Sequence, residues 1–356
     1  MIPASPLPSG TVGQPSPEPT PPPLTPGRLA PDDTGPADRH HLFQLRHDGT
    51  HSEFVWVPRF TAWQLIRPAD CGQPDKPVGY WVGTRPEQGE SDLDWAEETF
   101  GGFYVAKYEA SRLDGLQGST GSGASATAGS SIVPKSQPMC VPWTMVDFDE
   151  AIAACQRLGP AGHLMRDEEW TACAVWSQIH GITVRGNSGL GEDLEDPDLT
   201  FVADPTYPDG RVLTGSGRKV GLTAGQDPTS HTGTTEGVVD LNGNVNEWTL
   251  DLGVDTQDRL TYGSFILGTA PGRGYVGLLE TSATKRRLGL GIAAQSGSPW
   301  FGNDYLERAK VRQDIRCMRG GHWGENELAG VWCVFLNCLR TFRLINGGFR
   351  PCLRYE

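Results

Sequence analysis

Two stretches of this 356-residue sequence have the spacing of apolar residues that an amphipathic helix requires. The first, DFDEAIAACQRLG, covers residues 147–159. Asp147 and Glu150 stand three residues apart at its start, which predicts a capping box, and Gly159 is a typical helix stop. Three apolar side chains then fall on one face, which we expect to be buried: Phe148, Ile152 and Cys155.

The second stretch, RDEEWTACAVWSQIHG, covers residues 166–181. Asp167 is the predicted N-cap and Gly181 the predicted end of this helix. One face carries Trp170, Cys173, Ala174 and Ser177. Because a cysteine falls on the buried face of each helix, the pattern favours core packing over thiol reactivity.

Most of the remaining sequence predicts strands and irregular loop, as expected from its 46 glycines and 28 prolines. Phe54–Phe60 predicts an outer strand, because its β-branched and aromatic residues include a proline near the end. Phe103–Ser111 predicts a second strand. Gly115–Ser131 is a low-complexity loop of small residues, and Gly181–Asp240 is polar and turn-rich with little periodicity. These elements predict an α+β fold.

Residues 1–38 differ from the rest of the chain. They hold twelve of the 28 prolines and almost no large apolar residue. Such a segment buries too little surface to offset its ordering entropy, so we expect it to be a disordered terminus or an extended tether. Residues 39–356 are expected to form one domain.

The overall composition disfavours several classes of protein. A formal charge of −13 disfavours nucleic-acid binding, which needs clustered Lys and Arg. No apolar run approaches the roughly 18 residues of a membrane span. The start of the sequence lacks the features of a secretory signal, so a cytoplasmic or phage-associated location is expected over secretion. Eight cysteines in a chain of this length are too sparse for a disulfide scaffold.

Residues 319–350 form an irregular stretch between two glycine-containing motifs, Arg319-Gly320-Gly321 and Gly347-Gly348-Phe349-Arg350. Between Val331 and Asn346 neither the even nor the odd positions are uniformly apolar, although a two-sided strand normally alternates. Two interpretations are open. The apolar residues are exposed and mark an interaction site, or they point inward from a buried strand and the loop that follows it.

Four motifs occur in order over about 200 residues: VPWTMVDFDEAIAACQRLG with HLMRDEEWTACAVW, then DLNGNVNEWT, then RGG with Trp two residues on, and finally GFR. Together they resemble the formylglycine-generating-enzyme branch of the C-type lectin fold, and within it the variable proteins of diversity-generating retroelements. The resemblance implies two helices, a twisted antiparallel sheet and much irregular loop. It also implies a hypervariable region, here residues 319–350, that binds a ligand.

In that family, substitution at adenines diversifies mainly Asn codons. The resemblance therefore implies variable, ligand-binding positions at His322, Gly324, Glu325, Asn326, Leu328, Phe335, Asn337, Cys338, Phe342, Leu344, Ile345 and Asn346. Glu325 and Glu327 cannot come from an Asn codon, although a Lys codon would allow them. The fixed framework would comprise Arg319, Gly320, Gly321, Trp323, Ala329, Gly330, Leu336, Arg340, Gly348, Phe349 and Arg350.

The same branch contains oxidoreductases, and this is the alternative function. Formylglycine-generating enzymes hold copper with two cysteines near the C-terminal motif, and Cys333 and Cys338 are the candidates here. Their position departs from the family's, because Cys333 is twelve residues after Gly321 rather than a few. The eight histidines show no spacing typical of an iron-binding triad. We therefore expect no catalytic residues.

A structural calcium ion is a further implication of the resemblance. In the enzyme branch, a segment similar to DLNGNVNEW binds calcium, which carries over here to Asp240, Gly243, Val245 and Glu247. The alternative is a structural turn in which Asn242, Asn244 and Glu247 hydrogen-bond backbone groups. No cofactor is otherwise expected, and the expected partner is a protein ligand.

Overall fold

The computed structural model describes residues 39–47, 50–66, 78–82, 99–112, 132–276, 303–308 and 313–354. The Pro-rich segment 1–38 and the low-complexity loop Gly115–Ser131 of the predictions lie outside these residues.

The first predicted helix is confirmed as α1, Phe148–Gln156. The Asp147 carboxylate accepts the Glu150 N–H at 3.0 Å, and the Glu150 carboxylate accepts the Asp147 N–H at 3.0 Å. This is the predicted capping box. The buried face carries Phe148, Ala151, Ala154 and Cys155, whereas Ile152 is only partly buried.

The second helix is confirmed as α2, Asp167–Ile179, but its predicted cap is wrong. Arg166 precedes the helix, and its N–H donates to the Glu169 carboxylate at 2.8 Å. The Asp167 carboxylate instead binds the buried guanidinium of Arg319. Asp167, the predicted N-cap, therefore forms an ion pair with Arg319 in the core instead of capping the helix.

The described strands form two main sheets. The first consists of antiparallel strands His41–His47 (β1), Thr50–Val57 (β2), Phe103–Ala106 (β6), Gly162–Leu164 (β9) and Pro351–Arg354 (β20), in the spatial order β1-β2-β6-β20-β9. The predicted outer strand at Phe54–Phe60 is therefore interior, because β2 pairs with β1 and with β6. The predicted strand Phe103–Ser111 ends at Ala106 and resumes only as the short strand Ser111–Arg112 (β7), which pairs with Pro134–Lys135 (β8).

The second sheet is built around a long strand near the end of the chain. Its members are Asn246–Val254 (β12), Arg259–Tyr262 (β13), Phe265–Thr269 (β14), Gly274–Tyr275 (β15), Tyr305–Arg308 (β16), Ile315–Gly320 (β17), Gly330–Leu339 (β18) and Gly347–Phe349 (β19). Most pairs are antiparallel, but β19 lies parallel to β12 and β16 lies parallel to β18. A smaller sheet joins Phe60–Ile66 (β3), Val78–Val82 (β4) and Thr99–Phe100 (β5).

The main hydrophobic core lies between the two sheets. One cluster of buried side chains joins Val55 and Val105 of the first sheet, Trp170 of α2, and Leu252 and Val334 of the second sheet. The Trp170 indole N–H also donates to the Val331 carbonyl at 2.7 Å, which fixes α2 against β18.

The segment Gly181–Asp240 is as irregular as predicted. Its only strands are Leu199–Thr200 (β10) and Arg218–Lys219 (β11), together with isolated bridges. The segment DLNGNVNEWT follows it, and β12 begins within this segment at Asn246. Two helices, mainly antiparallel sheets and a long irregular segment confirm the α+β class and the architecture that the resemblance implied.

Candidate functional site

Residues 319–350, called here the framed stretch, are held to the core by two buried arginines. Arg319 donates from Nε and Nη2 to the two oxygens of Asp167, at 2.7 and 2.6 Å. Arg350 makes the equivalent pair of bonds to Glu247, at 2.9 and 2.6 Å. It also donates to three backbone carbonyls: those of Ala106, Lys107 and Val239. The framework arginines therefore fix both ends of the stretch to the core, Arg319 through α2 and Arg350 through β12.

The two glycines after Arg319 occupy positions that other residues would strain. Gly320 and Gly321 have φ of +88° and +76°. A Cβ on Gly321 would lie 2.7 Å from Ala329, closer than atoms of neighbouring residues approach. The chain therefore turns sharply out of β17 into a loop of residues 322–328, called here the first loop.

Trp323 holds the first loop on the protein. Its side chain is buried, and its ring lies 5.2 Å from the ring of Tyr207. Gly210 packs so closely on the indole that a Cβ there would lie 2.2 Å from it. The backbone N–H of Trp323 donates to Asn244 and that of Asn326 to Ser188.

The other side chains of the first loop face solvent to different degrees. Gly324, Asn326 and Glu327 are exposed, whereas the remaining three are half-buried: His322, Glu325 and Leu328. His322 Nε2 lies 2.8 Å from Glu325 Oε1, a contact within the loop itself. These residues contribute no side chain to the hydrophobic core of the described residues.

Two predicted variable residues in β18 are buried, so the expectation that they are displayed is wrong. Phe335 and Cys338 are each 7% exposed. They belong to a second hydrophobic cluster, which also contains Trp248 and the buried face of α1. A bulge lies between them, because Met318 pairs with Phe335 but Arg316 pairs with Cys338. The extra residue turns Cys338 to the same face as Phe335. Asn337, within the bulge, remains half-buried.

Residues 340–346 form the second loop. Phe342 and Ile345 are each 39% exposed, Asn346 is half-buried, and Leu344 is partly buried against the second cluster. The backbone of this loop is held by three carbonyls, those of Arg340, Leu344 and Asn346, which accept N–H groups from Phe148, Met145 and Asn246. Arg340, a predicted framework residue, lies at the surface and pairs with Asp149 at 2.6 Å.

Arg211 joins the two loops. Its guanidinium donates to the Ile345 carbonyl at 3.1 Å and lies over the ring of Tyr207, which in turn contacts Trp323. Asp204 holds the same guanidinium at 2.5 Å. The end of the second loop and the start of the first loop therefore lie on either side of Arg211 and Tyr207.

Sequence reasoning missed the contribution of the irregular segment to this surface. Leu190 is 63% exposed with φ of +59°, and its N–H donates to the Trp323 carbonyl at 2.7 Å. Tyr207 and Arg211 come from the same segment. No periodicity marks them, because each is placed by a tertiary contact rather than by a helix or strand.

The two carboxylates of the predicted calcium site already bond protein groups. Both oxygens of Glu247 bind Arg350, and the Asp240 carboxylate accepts the Gly215 N–H at 2.6 Å. Burial raises the pKa of Asp240 to about 7. Glu247 as it stands, with both oxygens bonded to Arg350, does not fit calcium.

The alternative, a structural turn, agrees with the contacts of the two asparagines. Asn242 Nδ2 donates to the Val184 carbonyl at 2.9 Å, and Asn244 Oδ1 accepts the Val212 N–H at 2.9 Å. Asn244 Nδ2 donates to the buried Glu109 carboxyl at 2.7 Å. Glu247 departs from this alternative, because it bonds a guanidinium rather than the backbone.

The candidate copper pair is also disfavoured by geometry. Cys333 and Cys338 lie five residues apart on one extended strand, roughly 15 Å at the usual rise per residue. Burial raises the pKa of Cys338 to about 12 and that of Cys333 well above its usual value. Two protonated thiols this far apart do not form a two-cysteine site for one metal ion.

Among the described residues, no helix is long and apolar enough to cross a membrane.

No family model and no curated protein matches the chain. Solved structures do. Treponema denticola variable protein 1 has 13% identity and a TM-score of 0.41, with 88% of this chain and 99% of that chain covered. PvdO from Pseudomonas aeruginosa has 13% identity and a TM-score of 0.38, with 88% and 97% covered. The Major Tropism Determinant U1 variant has 14% identity and a TM-score of 0.33, with 94% and 74% covered. A variable protein and a tropism-determinant variant are thus among the solved structures that this chain is similar to.

Proposed function

We propose that this chain binds a protein ligand through the surface of the first and second loops. The observation that carries the proposal is the separation of roles along residues 319–350. Arg319, Trp323 and Arg350 are buried and bonded to the core, whereas the side chains between them at the loop positions do little for the fold. Binding can then change while the scaffold stays the same.

The chemistry of the surface suits a protein partner. Phe342, Ile345 and Leu190 are exposed apolar side chains, and Arg343 lies beside Phe342 in the second loop. Aromatic, apolar and arginine side chains supply most of the binding energy in protein interfaces. The charged residues of the first loop, such as Glu325 and Glu327, would set the choice of partner more than the affinity.

The proposal also assigns the origin of the loop residues to a diversity-generating retroelement. The test is the neighbouring DNA. A near-copy of the codons for residues 319–350, differing only at adenines and close to a reverse-transcriptase gene, is expected. A copy that differs equally at all four bases would contradict this origin. The buried Phe335 and Cys338 are expected to vary only among apolar residues in functional copies.

Binding itself is tested by a library on the full chain displayed on yeast. The exposed and half-buried loop positions are randomised together: His322, Gly324, Glu325, Asn326, Leu328, Phe342, Ile345 and Asn346. Most members should stay folded, and selection on immobilised ribonuclease should yield specific binders. The matched control randomises the same number of buried positions, including Trp323, Leu336, Phe349 and Arg350, and should lose folded display. A loop library that fails to fold, or that folds but yields no binder, overturns the proposal.

A further inference from the structure

A cluster of three different metal-ligating side chains lies where β9, β20 and the start of α2 meet. His163 is in β9, Cys352 is its direct cross-strand partner in β20, and Glu169 is in the first turn of α2. One donor atom from each lies within 4.8 Å of the other two, and all three residues are buried. The function proposed for the loops uses none of them.

The hydrogen bonds of His163 leave its Nε2 atom turned toward the other two residues. Nδ1 lies 3.2 Å from the Ala161 carbonyl, and Nε2 lies 2.8 Å from Glu169 Oε1. The Ala161 carbonyl and the Glu169 carboxylate both only accept, so either ring nitrogen can carry the proton of the neutral ring. With the proton on Nδ1, the ring presents a lone pair at Nε2. Metal-binding histidines usually have this arrangement, with the other ring nitrogen donating to a backbone carbonyl.

Glu169 lies with both carboxylate oxygens near His163 Nε2, Oε1 at 2.8 Å and Oε2 at 3.1 Å. Oε2 accepts the Arg166 N–H at 2.8 Å, which holds the carboxylate in place at the start of α2. Oε1 is the atom nearest to His163. Without a cation, a lone pair at Nε2 would face this carboxylate oxygen, so either a proton or a metal ion must lie between the two atoms.

The third member, Cys352, is a fully buried thiol. Its Sγ lies within 4.8 Å of the donor atoms of His163 and Glu169. A divalent ion would offset both the thiolate and the carboxylate, which leaves the cluster neutral. Metal binding commonly displaces a thiol proton in this way.

The cluster also has a route to solvent. His163 lines a cleft of about 590 Å³ together with residues that include Gln156, Leu250 and Arg354. A hydrated ion in this cleft would meet the imidazole first.

We propose that His163 Nε2, Glu169 Oε1 and Cys352 Sγ bind one zinc-class divalent ion. Nitrogen, oxygen and sulfur donors together suit Zn²⁺, which is tetrahedral and retains a fourth position for water when the protein supplies three ligands. Bond lengths of about 2.0–2.3 Å put tetrahedral donors roughly 3.3–3.6 Å apart, so binding needs the His163–Glu169 contact to open by about half an ångström. The ion would tie β9, β20 and α2 together.

The test uses the full chain, freed of metal by a chelator, with Zn²⁺ titrated calorimetrically and Co²⁺ followed by absorption. Wild type should bind one ion per chain, raise its melting temperature with Zn²⁺, and show a thiolate-to-cobalt charge-transfer band with tetrahedral d–d bands. Cys352→Ser and His163→Gln each remove a direct ligand and should lose stoichiometric Zn²⁺ binding. Cys140→Ser, a buried cysteine outside the cluster, is the matched control and should bind as wild type does.

Three outcomes overturn the proposal: no stoichiometric Zn²⁺ binding by wild type, Co²⁺ binding without the thiolate band, or binding that survives Cys352→Ser. Should Cys352→Ser fail to fold, the wild-type cobalt spectrum still decides whether a thiolate is a ligand. Glu169→Gln, which retains an oxygen for the Arg166 N–H, then separates the loss of a charged ligand from the loss of the helix cap.

Discussion

At the residue scale, the framed stretch divides into side chains that the fold requires and side chains that it does not. Arg350 shows the first kind, with five hydrogen bonds to groups that are themselves buried. Ile345 shows the second, since only its backbone carbonyl is held while its side chain is exposed. Identity is therefore constrained by burial at single positions rather than along whole segments.

Substitutions at the two kinds of position should differ in cost. Trp323→Ala should lower the free energy of unfolding by about 3–5 kcal/mol, because it leaves a cavity beside Gly210 and Tyr207. Arg350→Ala should cost about as much, because Glu247 would keep an unpaired buried charge. Changing His322, Phe342 and Ile345 together to Ser should cost less than either, since surface changes usually fall within about 0.5 kcal/mol each. Urea unfolding measures all three. A triple variant less stable than Trp323→Ala would show that these loop side chains are core.

No copper chemistry is expected from Cys333 and Cys338. Replacing both with Ala should leave Cu(I) affinity and cysteine oxidation unchanged from wild type, because their separation along β18 prevents them from sharing an ion. A competition assay with a Cu(I) chelator measures the affinity. Tight, stoichiometric Cu(I) binding that the double variant abolishes would instead favour an oxidoreductase.

At the scale of elements, local patterns predicted the helices well and the strands less well. The capping box at Asp147 needs only neighbouring residues, so it was readable from the sequence. The role of Asp167 was not, because its partner Arg319 is 152 residues away. The interior position of β2 depends on β1 and β6, and the bulge that buries Cys338 depends on β17. The surface contribution of Leu190 and Tyr207 likewise came only from long-range contacts.

The link between β16 and β18 should make stability depend on pH. Asp304, just before β16, accepts the Trp332 N–H at 2.6 Å, and burial raises its pKa to about 8. Because the pKa of Asp304 is higher in the folded state than in the unfolded chain, its contribution to the free energy of unfolding is complete below about pH 4. That contribution is lost as pH rises through 8. The slope approaches about 1.4 kcal/mol per pH unit for one proton.

Asp304→Asn removes that proton while keeping an oxygen for the Trp332 N–H. The free energy of unfolding of the variant minus that of wild type should therefore be larger at pH 8 than at pH 5. Urea unfolding at both pH values measures this difference. Parallel curves for the two proteins would show that Asp304 does not titrate between folded and unfolded states in this range.

At the scale of the whole molecule, the packed part of the described chain begins directly after the Pro-rich segment. His40 is buried, and its Nε2 lies 3.0 Å from His231 Nε2, so the described fold already includes residue 40. Their separate composition predicts that residues 1–38 are a disordered terminus or an extended tether.

Deleting residues 1–38 should therefore leave the melting temperature nearly unchanged. A second deletion that extends through His41 is the control and should lower it, because the contact with His231 and a residue of β1 are lost. A fall of more than about 5 °C with the shorter deletion would show that the segment packs on the domain. Differential scanning calorimetry measures the melting temperature of both deletion variants.

The position of β20 has a consequence for gene expression. This strand follows the second loop in the sequence, yet it lies between β6 and β9 in the first sheet. A nonsense codon or frameshift within the codons for residues 319–350 removes β20, and the first sheet then exposes two unpaired edges. We expect such products to be degraded, so that only in-frame copies accumulate in the cell. Pulse–chase labelling of a chain that ends at Asn346 should show rapid degradation. A half-life equal to that of the full chain would refute the idea that truncated products are removed.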